Sequence, residues 1–314
     1  MKKVMIHVGT PKTGSSFLQR KLQANTISLS RNNINYLTDG APNNRALTLA
    51  LKDARTESEI GTIFSDWMSR SSDGQEVLLS DEVFSTCKSE IISAICSDPH
   101  NMFKVCIYIR SPASYAESAY KQWFYKNAKY NNFKSFLDSW SHPNWIKNLN
   151  VWQQSGADVH IYQYRPRDIA VLDQFCDFVG LHVHEVLGNS ISSDDLWGAN
   201  PSLNSVGMKI SKKLQAITSS ENHEIQMLLL KHARNSCFSD MPSVFSLFKN
   251  KDEVQAYNFQ YKRNLECIEQ DFGVSLVADL FEYDMESVFK SDESLEEIVL
   301  YEILASFFGF KQAA

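Results

Sequence analysis

The sequence predicts an α/β fold: a doubly wound, mostly parallel sheet flanked by helices, with a helical C-terminal extension. Three observations predict it. Short apolar runs alternate with helical patterns through about the first 180 residues. Each apolar run is followed by a helix long enough to cross back over a sheet, as parallel pairing requires. From about Asp194 onward the pattern turns mainly helical.

Taken in order, "KVMIHV" (3–8) is the first strand. "SSFLQRKLQANTISL" (15–29) is a helix, with Phe17, Leu18, Leu22 and Leu29 near helical spacing. "RNNINYL" is a connector with a short strand toward its end. A helical stretch from about Asn44 to Arg70 carries Leu47, Leu51, Ile60, Ile63, Phe64 and Trp67. "EVLLSDE" (76–82) is a short strand ending in polar residues, and "KSEIISAIC" is a helix. "FKVCIYIR" (103–110) is a strand. "SPASYAESAYKQWFYK" begins a helix, with Pro112 at its first position. "ADVHIYQY" (157–164) is the next strand. "DIAVLDQFCDFVGL" is a helix ending at Gly180. Beyond it, "SVGMKISKKLQAI", "EIQMLLLKHA", "KDEVQAYNFQYKRNLECIEQDF" and "SLEEIVLYEILASFF" are the clearest helices. The 314 residues are read as a single domain, with a core over 1–187 and a mainly helical lid or extension over 188–314. "GNSISSDDLWGANPS" (188–202) is the linker or lid candidate.

Composition limits the function. Apolar residues make up 43% and charged residues 22%, as in globular proteins generally. The net charge of -6 argues against a nucleic-acid or general polyanion binder. Any bound anion must be held by a local cluster of cations and backbone N–H groups. No apolar run approaches the ~20 residues of a membrane span. "MKKVMIHV" has too short an apolar part for a signal peptide, so a cytoplasmic location is expected. The six cysteines are scattered without a C-x-x-C pair, which fits reduced thiols rather than a disulfide framework or a zinc site.

The chemistry concentrates in "HVGTPKTGSSFLQ" (7–19). Gly9 and Gly14 have the spacing of the nucleotide-binding loop G-x-x-x-x-G-K-[ST], but Ser15 stands where that loop has its lysine. The lysine is Lys12, two residues before the second glycine. Backbone N–H groups at a helix N-terminus still favour a phosphate. Gly14 allows close backbone approach. Thr13, Ser15 and Ser16 add hydroxyl donors. The loop is P-loop-like with its point charge displaced along the ligand.

"TPKTGSSFLQ" resembles the 5′-phosphosulfate loop of sulfotransferases that use 3′-phosphoadenosine 5′-phosphosulfate (PAPS). The resemblance implies that Pro11, Lys12, Thr13, Gly14, Ser15 and Ser16 hold the 5′-phosphate and the sulfuryl group. It also requires a second motif for the 3′-phosphate: an arginine at a strand end and a serine eight residues on. "YIRSPASYAESAYKQ" supplies them as Arg110 and Ser118. "LLSDE", "SAYKQW", "ANPSLN" and "YKRNLE" resemble segments of bacterial sulfotransferases acting on glycans and related metabolites. One segment departs from those relatives: "LWGA" stands where an arginine is frequent, so no cofactor role is assigned to Asn200 or Ser202.

What the resemblance implies is metal-independent, in-line transfer of a sulfuryl group to a hydroxyl of a carbohydrate or glycoconjugate, releasing adenosine 3′,5′-bisphosphate. Lys12 would meet the charge growing on the leaving oxygen. A hydroxyl acceptor needs a base. Glu82, just past a strand end, is the candidate; relatives acting on glycans carry a glutamate at a comparable place. Asp81 is the neighbour that would exchange roles with it, and His7 is the rival, although a histidine inside an apolar strand is commonly a packed core residue. "HVHEV" (182–186) lacks the spacing of a helical zinc motif. "YKQWFYKNAKYNNF" (120–133) interleaves lysines with aromatics, as either a sugar-binding face or an amphipathic helix. The alternatives are a small-molecule natural product as acceptor (hydroxyl or amine), a kinase with a degenerate loop, and a non-catalytic glycan-binding module.

Overall fold

The computed structural model describes residues 1–126, 132–140, 144–164, 170–183, 247–248, 250–278 and 280–281. The expected linker at 188–202 and three of the four expected C-terminal helices lie outside the described residues. The chain divides into two compact units. One comprises Met1–Arg110, Pro143–Ala199 and Lys262–Leu280; the other comprises Ser111–His142, Asn200–Tyr261 and Phe281–Ala314. The change of pattern expected at 187–188 falls outside the described residues.

The first unit is built on a five-stranded sheet in the order β2-β3-β1-β4-β5. The strands are β1 (Lys2–Val8), β2 (Ile34–Tyr36), β3 (Glu76–Asp81), β4 (Asn101–Ile109) and β5 (Asp158–Gln163). Every pairing is parallel. The register sets Val8 opposite Asp81 on one side and Ile107 on the other, so the three central strands end nearly level. The chain leaves β1 for one edge of the sheet and leaves β4 for the other. A crevice opens where such neighbours part, outside the strands' carboxyl ends.

Helices cover both faces, as a parallel sheet requires. On one face α1 (Ser15–Ala24) and α9 (Ala170–Val179) pack Phe17, Leu18, Leu22, Leu172 and Phe175 against Met5, Leu78, Cys106 and Tyr108. On the other, Phe64 of α4 (Glu57–Met68) meets Phe103, and α5 (Ser89–Cys96) packs on β4 and on α8 (Trp145–Gln154). Gly180 ends α9 with φ 77°, and the N–H of Leu181 returns to the carbonyl of Cys176.

Two expected helices are interrupted. The stretch 15–29 breaks at Asn25, whose side-chain amide donates to the Lys21 carbonyl at 2.8 Å, and α2 (Thr26–Arg31) starts anew. Asparagine competes with the helix for its own backbone in this way. The stretch 44–70 breaks into α3 (Arg45–Asp53) and α4. Thr56, in extended conformation, caps α4 by accepting from the N–H of Glu59.

The second unit contributes α6 (Pro112–Lys126), α7 (Phe133–Ser139) and the first part of α10 (Lys251–Phe272) to the described residues. Its core joins Ala113, Ala116, Phe248, Val254 and Tyr257, with Phe133, Leu137, Trp140 and Tyr261 packed against them. Asn258 accepts from the N–H of Ala113 at 2.8 Å, and Glu117 accepts from the N–H of Leu247 at 2.6 Å.

Among the described residues no helix is long and apolar enough to cross a membrane. No disulfide joins the described cysteines, Cys87, Cys96, Cys106, Cys176 and Cys267.

Candidate functional site

Four segments meet at the carboxyl edge of the first unit's sheet: the β1–α1 loop, the turn after β3, Arg110 after β4 and Tyr164 after β5. The loop is braced from within. Thr10 donates to the carbonyl of Tyr108. Thr13 and Ser15 both donate to the carbonyl of Thr10, at 2.6 and 3.4 Å. A hydroxyl carries one proton, so these two serve the loop's own geometry in this arrangement. Pro11, Lys12 and Ser16 stay half-buried.

Two residues of the loop are left-handed: Gly14 at φ 77° and Lys12 at φ 70°. Glycine takes that conformation freely; for lysine it costs ~1–2 kcal/mol and persists only where neighbours impose it. One such neighbour is Arg110. Its Nη1 donates to the Lys12 carbonyl at 2.9 Å, while its guanidinium lies 5.5 Å from the centre of the Tyr164 ring. The same ring closes on Gly14, where an added Cβ would sit 3.0 Å from Tyr164 Cε2. Tyr164 thus lies beside both Gly14 and Arg110. The N-cap of α1 is Gly14, which has no side chain to cap the helix, so the first N–H groups suit an anion.

Across the loop stands the end of β3. Asp81 is fully buried; its Oδ1 caps the following 3₁₀ turn by accepting from the N–H of Val83 at 2.7 Å. Arg45 Nε lies 3.5 Å from Asp81 Oδ2. Glu82 opens the turn and is half-buried. A Cβ at Gly9 would sit 3.2 Å from Glu82 Cγ, so the Glu82 side chain lies directly against the loop. Burial raises its carboxyl above the ordinary value; the charge of Lys12 opposes this, Asp81 adds to it and Arg45 opposes it.

His7 is buried within β1. Its Nδ1 shares a hydrogen bond of 2.8 Å with Ser80 Oγ, its ring meets Tyr108 and Phe175 edge-on, and burial lowers its pKa to about 3. Ser118 is buried in α6, which belongs to the second unit. The structure therefore brings Lys12, Gly14, Arg110 and Glu82 to one edge, places His7 in the apolar layer and holds Ser118 in the other unit. Of the aromatic stretch 120–133, Tyr120 and Phe133 pack together at 5.3 Å in the second unit, and Lys121 pairs with Glu117 at 4.0 Å. The side chains of 122–131 lie outside the described residues, as do Asn200 and Ser202.

Sequence reading missed Tyr164, Asn44 and Arg45. Tyr164 had one signal, its place at the end of an expected strand. Asn44 and Arg45 had only the polar start of a helix.

No known family profile matches the chain, and no curated protein does. Among solved structures the chain is similar to a sulfotransferase domain from the curacin biosynthetic pathway, at 14% identity over 73% of this chain and 98% of that chain, with a TM-score of 0.31. It is also similar to a sulfotransferase domain from the Synechococcus PCC 7002 olefin synthase, at 15% identity over 88% and 96% of the two chains, with a TM-score of 0.30.

Proposed function

We propose that the protein is a sulfotransferase that moves the sulfuryl group of PAPS to a hydroxyl, of a carbohydrate or glycoconjugate, by in-line transfer without a metal. One observation carries the reading. The loop motif that resembles the phosphosulfate loop is held in left-handed turns at Lys12 and Gly14, tied to Arg110, and faced by the half-buried Glu82. PAPS supplies the activated sulfuryl group and leaves as adenosine 3′,5′-bisphosphate.

The chain's own residues would then divide the work. Backbone N–H groups from Gly14 to Ser16 bind the 5′-phosphate side, where the N-cap Gly14 has no side chain to compete for the start of α1. Lys12 meets the negative charge that grows on the bridging oxygen, a contact stronger in the transition state than before it. Arg110 serves the 3′-phosphate and also fixes the Lys12 carbonyl. Glu82 takes the acceptor's proton. Its raised pKa makes it a stronger base than an exposed glutamate, provided the pH keeps it ionised. The burial of His7 supports a packing role for that residue, and Asp81 serves the turn that carries Glu82.

The test is transfer of label from [35S]PAPS to a panel of glycans and small hydroxyl compounds, by wild type and Lys12→Ala. Labelled glycan made by wild type and nearly lost in Lys12→Ala is the expected result. Label appearing only on small compounds would replace the carbohydrate assignment. No labelled product with any acceptor, together with no nucleotide binding, would overturn the reading.

A further inference from the structure

We propose that Asn44 and Arg45, at the start of α3, are positioning residues that grip the end of β3 and aim Glu82 into the crevice. The inference rests on the reading of Glu82 as the base. Strand β2 pairs with β3 only as far as Tyr36 opposite Leu78, and the N–H of Leu37 adds a bond to the Leu78 carbonyl. Two residues further along β3, no strand among the described residues lies beside Ser80 on that edge. Asn44 takes the strand's place. The N–H of Asn44 donates to the Ser80 carbonyl at 3.0 Å, and Asn44 Oδ1 accepts from the N–H of Ser80 at 2.5 Å.

One buried asparagine therefore supplies a full rung of the ladder. Its remaining amide donates to the Leu37 carbonyl, so side chain and backbone are both committed. A residue with only an acceptor or only a donor in its side chain would leave Leu37 or Ser80 unsatisfied.

The next residue repeats the grip one position on. Arg45 Nε pairs with Asp81 Oδ2, while Asp81 Oδ1 holds the N–H of Val83. Glu82 lies between these two anchors, at the first position of the turn that Asp81 caps. Its backbone is fixed between them, with its Cγ against Gly9. Arg45 is 44% exposed, so this contact is not needed to fill the core. The charges facing Glu82 are Lys12 from the β1–α1 loop, Asp81 from β3 and Arg45 from α3. Lys52, also on α3, is engaged with Thr86. Removing the Arg45 charge takes away one of two cations that favour ionised Glu82.

The experiment compares wild type, Arg45→Gln, Arg45→Lys and Asn44→Ala. The Glu82 carboxyl is titrated by NMR in protein labelled with [13C]glutamate, assigned through Glu82→Gln. Affinity for adenosine 3′,5′-bisphosphate is measured by calorimetry, and turnover as sulfate release from PAPS with water as acceptor. Arg45→Gln is expected to move the Glu82 titration and the acid limb of turnover to higher pH. Turnover should fall about 10²-fold, the scale of a 1 Å misplacement, with bisphosphate affinity unchanged. Arg45→Lys should restore the titration. Asn44→Ala should abolish hydrogen-exchange protection of the Ser80 amide.

Wild-type titration and turnover in Arg45→Gln would overturn the inference, as would a loss of bisphosphate affinity parallel to the loss of turnover. The titration is read without nucleotide. A protein that failed to bind the bisphosphate would therefore count against the sulfotransferase reading alone.

Discussion

Replacing His7 by glutamine tests how the site's neighbourhood divides between chemistry and packing. His7 is fully buried and its pKa is lowered to about 3, whereas in the unfolded chain it titrates near 6.5. Below pH 6.5 the unfolded state binds a proton that the folded state refuses. The stability held above 6.5 is therefore lost as pH falls toward about 3. The loss is ~1.4 kcal/mol per pH unit, or about 2 kcal/mol between pH 6.5 and pH 5. Glutamine can still donate to Ser80 Oγ and has no proton to gain. Urea unfolding of wild type and His7→Gln at pH 5, 6, 7 and 8 isolates this contribution, since every other titration cancels in the difference. Wild type should be the more stable at pH 8, and its advantage should shrink by about 2 kcal/mol at pH 5. A difference that stays constant with pH would refute the buried, neutral histidine. A His7→Gln variant that lost the acid limb of turnover would return the base to His7.

Lys12→Ala should slow turnover by ~10²–10³-fold, the value of one donor aimed at a developing anion, read as kcat with the glycan or water as acceptor. Gly14→Ala combines a left-handed backbone with a Cβ 3.0 Å from Tyr164, so it should lose at least ~1 kcal/mol of stability by urea unfolding and weaken bisphosphate binding by calorimetry. Glu82→Gln should lower kcat by ~10²–10⁴-fold and leave bisphosphate affinity intact. In wild type the acid limb of kcat should lie above the ordinary carboxylate range, because burial raises Glu82 and activity is lost as pH falls through its pKa.

The strands and their order of appearance were legible because each is a short apolar run ended by polar residues, and Pro112 marked the start of α6. The interruptions at Asn25 and Thr56 were not, since the apolar spacing continues through both and only local hydrogen bonds break the helices. The loop after β1 was legible as a junction between a strand and a helix. The commitment of Thr13 and Ser15 to the Thr10 carbonyl was not, because a tight loop must satisfy its own carbonyls before it serves a ligand. Tyr164 and Arg45 act on residues far along the chain, Gly14 and Asp81, through contacts that exist only once the sheet has formed. The aromatic stretch 120–133 reads equally as sugar platform or core; Tyr120 and Phe133 take the core role.

We propose that the Lys12 loop and Arg110 are built for a 3′,5′-bisphosphorylated nucleoside. Calorimetric titration with adenosine 3′,5′-bisphosphate in the presence of a chelator tests it most directly, alongside ATP with magnesium. The bisphosphate should bind with micromolar or tighter affinity without metal and more weakly in Arg110→Ala, and ATP should bind much more weakly. Undetectable bisphosphate binding at millimolar nucleotide, or preference for ATP with magnesium, would contradict it.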